Sequence, residues 1–238
     1  MLSGIAARLV PRLLWKYRVR KWRVESEERE IALLPSLCHR SKLSIDIGAS
    51  LGTYTMHMLC YSKGCWAFEV RPAQAAALRA LFKGSPVTVE AVGVSSVDGW
   101  ADLRMTIGDP GRSTVHTENP LSAGDTVEMI RVPLRTLDSY NLSNIGFIKI
   151  DVEGHELDVL RGAEVTLRRD RPNLLIEIEN RHATDAVRRV TTHLRERGYA
   201  ASFLLDGTLR PFTEFVAEKH QHFGTVPYIN NFIFRPLG

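Results

Sequence analysis

Cysteine is scarce in this sequence: Cys38, Cys60 and Cys65 form no CxxC pair and leave one over. Neither a disulfide framework nor a zinc cluster is expected from them, and a reducing cytoplasm suits such usage. Long apolar runs are missing too. No stretch of about 18 apolar residues occurs, and the segment MLSGIAARLVPRLLWKYRVRKW is broken by arginines and Pro11. Neither secretion nor membrane spanning is therefore expected. No repeat at a fixed period and no low-complexity tract occur, which sets aside solenoids and strings of linked modules. No HxH, HExxH or CxxC spacing accompanies His155, so a metal site built from histidines is not expected there.

Acid is absent from one region in particular. The charged residues from Arg8 to Arg23 are Arg8, Arg12, Lys16, Arg18, Arg20, Lys21 and Arg23, so the net charge of +4 reflects a local arm rather than a basic protein. Residues 1–40 read as a helical basic arm, with Ile5, Leu9 and Leu13 and then Ile31, Leu34 and Leu37 at near-helical spacing. The arm is expected to lie against the core, with an anionic membrane surface or the acidic groups of a glycan as its partners.

The remaining residues, 41–238, read as one domain. Hydrophobic residues at 44% and charged residues at 24% are ordinary for a soluble globular chain and argue against disorder. From Leu43 onward, short apolar runs alternate with helix-length segments: LSIDIG, TYTMHMLCYSKG, CWAFEV, PAQAAALRALFKG, VTVEAVG. Such alternation predicts βαβ units and a parallel, doubly wound α/β sheet. Residues 99–135 depart from it, with WADLRMTI and TVEMIRVPLR around a polar loop, predicting an inserted antiparallel hairpin. The pattern resumes with the strand GFIKID, one helix over EGHELDVLRGAEVTLRRD, the strand NLLIEIEN and a helix over about 185–197. Two last strands are expected near 200–205 and 230–235, with the final one able to return antiparallel at the sheet edge.

Two segments carry chemistry. In DIGASLGTY, residues 46–54, Gly48 and Gly52 permit a tight strand-to-helix turn that brings backbone N–H groups to a nucleotide-like ligand. Glu69, at the end of the next strand, is placed to accept hydrogen bonds from ribose hydroxyls. The spacing is GxSxG, with Ser50 at its centre, rather than GxGxxG, and Asp46 precedes the first glycine. An acid there repels a pyrophosphate and suits the ammonium of a methionine moiety, so S-adenosylmethionine is favoured over NAD, the main competitor. A glycine turn that only packs is the third reading.

The second segment is FIKIDVEGHELDVLRGA, residues 147–163. On a strand, Phe147, Lys149 and Asp151 share one face, and on the next strand Leu175, Glu177 and Glu179 do the same. Central parallel strands are normally apolar on both faces. Charge there is costly unless paired, so Lys149 is expected to meet Glu177 or Asp151, either as a structural ion pair or as functional groups. Asp151 falls at the carboxyl end of its strand, where open α/β sheets bind ligands. Glu153 is read equally as a catalytic group or as a first-turn helix acid. His155 is read as a group at the sheet's mouth or as a plain helix residue.

With DIGASLG, Phe68-Glu69, Thr136-Leu137-Asp138-Ser139 and KIDVEGHELDVLRGA in this order, the chain resembles the FkbM-type family of S-adenosylmethionine-dependent methyltransferases over residues 43 to about 200. The resemblance implies a class I, Rossmann-like fold with a mostly parallel seven-stranded sheet, and methylation of hydroxyls on polyketides or sugars. It also implies that Asp46, Gly48 and Gly52 line the methionine end of the cofactor and Glu69 holds the ribose, with Asp98 near the adenine. Two departures stand out: Ser50 replaces a frequent Asn, and the proline usual after the FE motif is displaced to Pro72 by Val70-Arg71.

The function expected is therefore O-methylation of a small-molecule or glycan hydroxyl, with Asp151 the first choice of base and His155 the second. Lys149 and Glu153 complete the candidate set. A divalent cation such as Mg²⁺ on Asp151 and Glu153 is an alternative to a base, although two carboxylates make only a partial site. Arg112 and His116 are candidates for acceptor contacts or plain loop residues. A nucleic-acid methyltransferase would use the basic arm as its electrostatic footprint, but no NPPY-type tetrapeptide follows the fourth strand. A nicotinamide oxidoreductase and a non-catalytic cofactor-binding scaffold are the remaining classes.

Overall fold

The computed structural model describes residues 28–106, 109–115, 127–222 and 224–238. The basic stretch Arg8–Arg23 and His116 lie outside the described residues, as does the side chain of Arg112. Beyond the basic stretch, a short 3₁₀ turn over Arg29–Leu33 leads into α1 (Leu34–Leu37). Ile31, Leu34 and Leu37 are buried with Tyr54, Met58, Phe147, Leu175 and Ile233. This segment lies against the core, as its spacing predicts.

The main sheet has β1 (Leu43–Ile47), β2 (Gly64–Phe68), β3 (Val87–Glu90), β8 (Ile145–Ile150), β9 (Asn173–Glu177), β10 (Tyr199–Leu205), β11 (Thr208–Pro211) and β12 (Asn231–Pro236). Their order is β11-β10-β12-β9-β8-β1-β2-β3. The run from β9 to β3 is parallel. This is the doubly wound architecture, with β11 added at the edge as an eighth strand paired to β10. The final strand does not take the edge: β12 pairs antiparallel with β9 on one side and β10 on the other. Phe232, Ile233 and Phe234 are fully buried there, and an edge position would leave one side of that apolar run uncovered.

Three helices that follow parallel strands are α2 (Thr53–Met58) after β1, α3 (Pro72–Leu81) after β2 and α6 (Ala186–Arg195) after β9. The segment after β8 forms two helices, α4 (Glu156–Arg161) and α5 (Glu164–Asp170), instead of one. A Cβ on Gly162 would lie 1.9 Å from the Ser95 carbonyl oxygen, so the chain turns where two backbones touch. Asp138 of the TLDS segment then caps α5, accepting the N–H groups of Val165 at 2.8 Å and Thr166 at 2.9 Å and the Thr166 hydroxyl at 2.7 Å.

The excursion is larger than a hairpin. β4 (Gly93–Val94), β5 (Gly99–Thr106), β6 (Asp109–Thr114) and β7 (Val127–Arg135) form their own sheet in the order β4-β7-β5-β6. The apolar segment 87–94 is therefore split between two sheets, and its second half carries the chain out of the main one. No helix among the described residues is long and apolar enough to cross a membrane.

Candidate functional site

Strand order reverses between β1 and β8, since β2 and β3 extend to one side and β9 to the other. Such a switch point opens a crevice beyond the strands' carboxyl ends. A cavity of about 320 Å³ sits there, within the range of small-molecule sites, and its walls include Gly48, Ser50, Glu69, Asp151, Glu153 and His155. Six of the candidate residues read from the sequence thus meet in one place.

The floor is a backbone contact. Gly48 has φ +83°, and a Cβ on it would lie 1.8 Å from the Asp151 carbonyl oxygen. Only glycine permits β1 and β8 to converge this closely as they leave the sheet. The Gly48 and Ala49 N–H groups both donate to the Phe68 carbonyl at 2.9 and 3.0 Å, tying the loop to β2. Glu69 follows directly, and its Oε2 accepts the Ser50 N–H at 2.8 Å. Gly52, by contrast, faces away: it sits at φ +80° ahead of α2, and a Cβ there would press on Phe82 and Leu78 at 2.8 and 2.9 Å.

Asp46 also turns from the cavity. Its carboxylate is buried and accepts a short hydrogen bond from the Thr55 hydroxyl on α2. Burial pushes its pKa up to about 6 despite that bond and the charge of Lys149. The carboxylate therefore ties α2 to β1, and does not reach toward a ligand as the resemblance implies. Asp98 departs from its expected place as well. It accepts the Thr136 N–H at 2.8 Å, while Val92, Gly93 and Val94 line the cavity instead.

At the centre, Lys149 is 1% exposed, with Nζ 3.7 Å from Asp151 and 3.8 Å from Glu177. It meets both carboxylates rather than one. Nζ also reaches Asn231 Oδ1 at 3.3 Å and the Ile150 carbonyl at 3.4 Å, and lies 5.1 Å over the Tyr54 ring. Burial alone would lower the lysine's pKa, but the two carboxylates outweigh it and the net shift is upward. One cation cannot compensate two neighbouring carboxylates. Burial and the neighbouring Asp151 push the Glu177 pKa well above the ordinary carboxylate range. Its Oε1 accepts from Asn230 at 2.8 Å, and it lines the cavity beside Asp151.

The turn after β8 aims the other two candidates. Glu153 (φ +52°) and Gly154 (φ +100°) are both left-handed, and α4 begins only at Glu156. Glu153 is thus a turn residue and not a first-turn helix acid. Its carboxylate meets His182 Nε2 at 3.0 Å, while its carbonyl accepts the Thr114 hydroxyl at 2.9 Å. His155 Nε2 lies 2.9 Å from the Ser95 hydroxyl, and Nδ1 lies 3.6 Å from Asp158. The close approach at Gly162 is what brings Ser95 there. Among the described residues, no three His, Cys, Asp or Glu side chains are grouped to hold a metal ion.

Wall residues that the sequence did not single out include Glu28 and Val92, and Arg71 stands on the wall with them. Glu28 accepts the Tyr54 hydroxyl at 2.7 Å, a contact across 26 residues that no local pattern signals. Arg71 had a signal, since it interrupts the usual FE-Pro sequence.

Comparison with known proteins agrees with this geometry. Residues 46–201 match the model of the methyltransferase FkbM domain. "Methyltransferase 1" of Beauveria bassiana (strain ARSEF 2860) is 27% identical over 143 residues, covering 50% of this chain and 57% of that protein. The crystal structure of methyltransferase FkbM from Methylobacillus flagellatus KT superposes at TM-score 0.55 and 16% identity, over 82% of this chain and 43% of the other. SMU.1697c from Streptococcus mutans, in complex with SAH, superposes at TM-score 0.50 and 11% identity, over 87% and 95%. The chain therefore spans little more than half of the curated relative and less than half of the first of these structures.

Proposed function

Because the chain belongs to the methyltransferase FkbM family, we propose that it transfers a methyl group from S-adenosylmethionine to a hydroxyl oxygen of a sugar, a glycan or a secondary metabolite. The observation that carries this reading is Asp151, which stands on the cavity wall against the Gly48 turn with its carboxylate beside the buried Lys149. The fit of the cofactor rests on the same wall. A cradle that a Cβ would fill, and an acid fixed at the end of β2, suit a nucleoside with a hydroxylated ribose.

When bound, S-adenosylmethionine supplies an electrophilic methyl group on a sulfonium. The chain's residues position the acceptor and take its proton. Asp151 receives the hydroxyl's hydrogen bond and, as the oxygen gains its methyl group, the proton. A placed base contributes about 10²- to 10⁴-fold. Lys149 holds the Asp151 carboxylate in one orientation and is itself too well compensated by acids to serve as a base. His155, tethered through Nε2 to Ser95, orients the acceptor.

The test is incubation with S-adenosylmethionine carrying an isotopically labelled methyl group and a panel of hydroxylated acceptors. Label on an acceptor oxygen with matching release of S-adenosylhomocysteine is expected. Label on nitrogen, or on nucleic acid alone, would overturn the reading.

A further inference from the structure

Glu69, the acid at the end of β2, is already fully engaged. Its Oε1 accepts the Arg71 backbone N–H at 2.9 Å and Arg71 Nε–H at 2.8 Å. Its Oε2 accepts the Ser50 backbone N–H at 2.8 Å and Arg71 Nη2–H at 3.0 Å. A carboxylate offers about four lone-pair positions, two on each oxygen, so these donors fill them. One position on each oxygen is taken by a backbone N–H that the fold fixes. The other position on each is taken by a single planar guanidinium, in the fork geometry that matches a carboxylate.

Two neighbouring hydroxyls of a ribose need that same second pair of positions, one on each oxygen. They also approach from the cavity, whose wall Arg71 shares with Glu69. Arg71 is in place because Val70-Arg71 precedes Pro72, which makes it the residue immediately before α3.

We propose that the Arg71 side chain is an internal stand-in for the ribose diol, which competes with the nucleoside for Glu69 and sets the affinity for cofactor and product together. The proposal rests on the S-adenosylmethionine reading above. Before a nucleoside binds, the guanidinium keeps a buried carboxylate compensated and aimed. Binding requires the fork to open, so the apparent affinity falls by the fraction of molecules in which it is open. The same competition favours release of S-adenosylhomocysteine, whose ribose is identical to that of the cofactor.

The experiment is calorimetric titration of S-adenosylhomocysteine, and of its 2′-deoxyribose analogue, into the wild-type chain, Arg71→Met and Arg71→Lys. Removing the fork is expected to tighten S-adenosylhomocysteine binding about tenfold, as it would if the closed fork were populated about nine times in ten. Arg71→Lys should gain less, because an ammonium cannot span both oxygens. The gain should shrink for the analogue, which leaves one Glu69 position unmatched. Unchanged or weaker binding by a folded Arg71→Met overturns the proposal. Should that variant not fold, Arg71→Lys decides: tighter binding supports the competition, and equal or weaker binding overturns it. Failure of all three proteins to bind S-adenosylhomocysteine would instead overturn the cofactor reading on which the proposal stands.

Discussion

Lys149 Nζ lies 3.7 Å from the Asp151 carboxylate, a fully buried cation against an acid that is 33% exposed on the cavity wall. One partner is sealed in the sheet and the other opens to the site. Asp151→Asn keeps the size of that side chain and removes its charge. We expect S-adenosylhomocysteine affinity to change little while turnover falls about 10²-fold or more, the pattern of an interaction made in the transition state. Titration calorimetry and single-turnover rates measure the two separately. A wild-type rate would remove Asp151 from the chemistry, and loss of the melting transition would make it a structural partner of Lys149.

His155 is tethered at Nε2 by the Ser95 hydroxyl at 2.9 Å, with Nδ1 3.6 Å from Asp158, an arrangement that suits orientation more than proton transfer. His155→Ala should therefore cost less turnover than Asp151→Asn. A larger loss would exchange their roles. Chelator treatment belongs to the same series: activity lost to EDTA and restored by Mg²⁺ or Mn²⁺ would show that a cation does the work assigned to the base.

Gly48 and Gly207 both have positive φ, yet a Cβ at Gly48 would strike the Asp151 carbonyl while one at Gly207 meets nothing within 4 Å. Alanine at Gly207 should cost roughly 1 kcal/mol, the backbone conformation alone. Gly48→Ala should cost at least about 3 kcal/mol or prevent folding, because β1 and β8 must also part. Urea unfolding compares them, and equal costs would contradict the close approach.

Glu156 is fully buried, and burial pushes its pKa from the ordinary 4.5 to about 7, against the Gly154 N–H that it accepts at 2.7 Å. The folded state then binds its proton more tightly than the unfolded chain does. Its contribution to stability is complete below about 4.5 and is lost as pH rises through about 7. Glu156→Gln keeps an acceptor for Gly154 and removes the titration. The variant should match wild type near pH 4.5 and exceed it at pH 8 by up to about 3 kcal/mol. A difference that does not grow with pH would contradict the buried carboxylate.

Much of this was legible in the sequence because parallel strands and their helices announce themselves locally. LSIDIG, CWAFEV and GFIKID each end at the cavity, and the DIGASLG and KIDVEGH segments deliver Gly48, Ser50, Asp151, Glu153 and His155 to it. Pairing was not legible. The run Asn231–Pro236 looks the same whether it closes an edge or inserts between β9 and β10, and only the burial of both its sides decides. Side-chain aim was hidden for a similar reason. Asp46 reads as a ligand-facing acid until α2 brings Thr55 over it, and no periodicity states which helix residue will do so. The break at Gly162 depends on Ser95, a residue far away in sequence.

The most direct measurement is the melting temperature of the full chain with S-adenosylhomocysteine and with NAD at equal concentration. Only a ligand that binds the folded state raises it, by about 2.7 kcal/mol of stability at a hundredfold excess over Kd. S-adenosylhomocysteine is expected to raise it and NAD to leave it unchanged, with the shift reduced in Glu69→Ala as the charge-assisted ribose contacts are lost. A shift produced by NAD and not by S-adenosylhomocysteine would contradict the assignment of this cavity to methyl transfer.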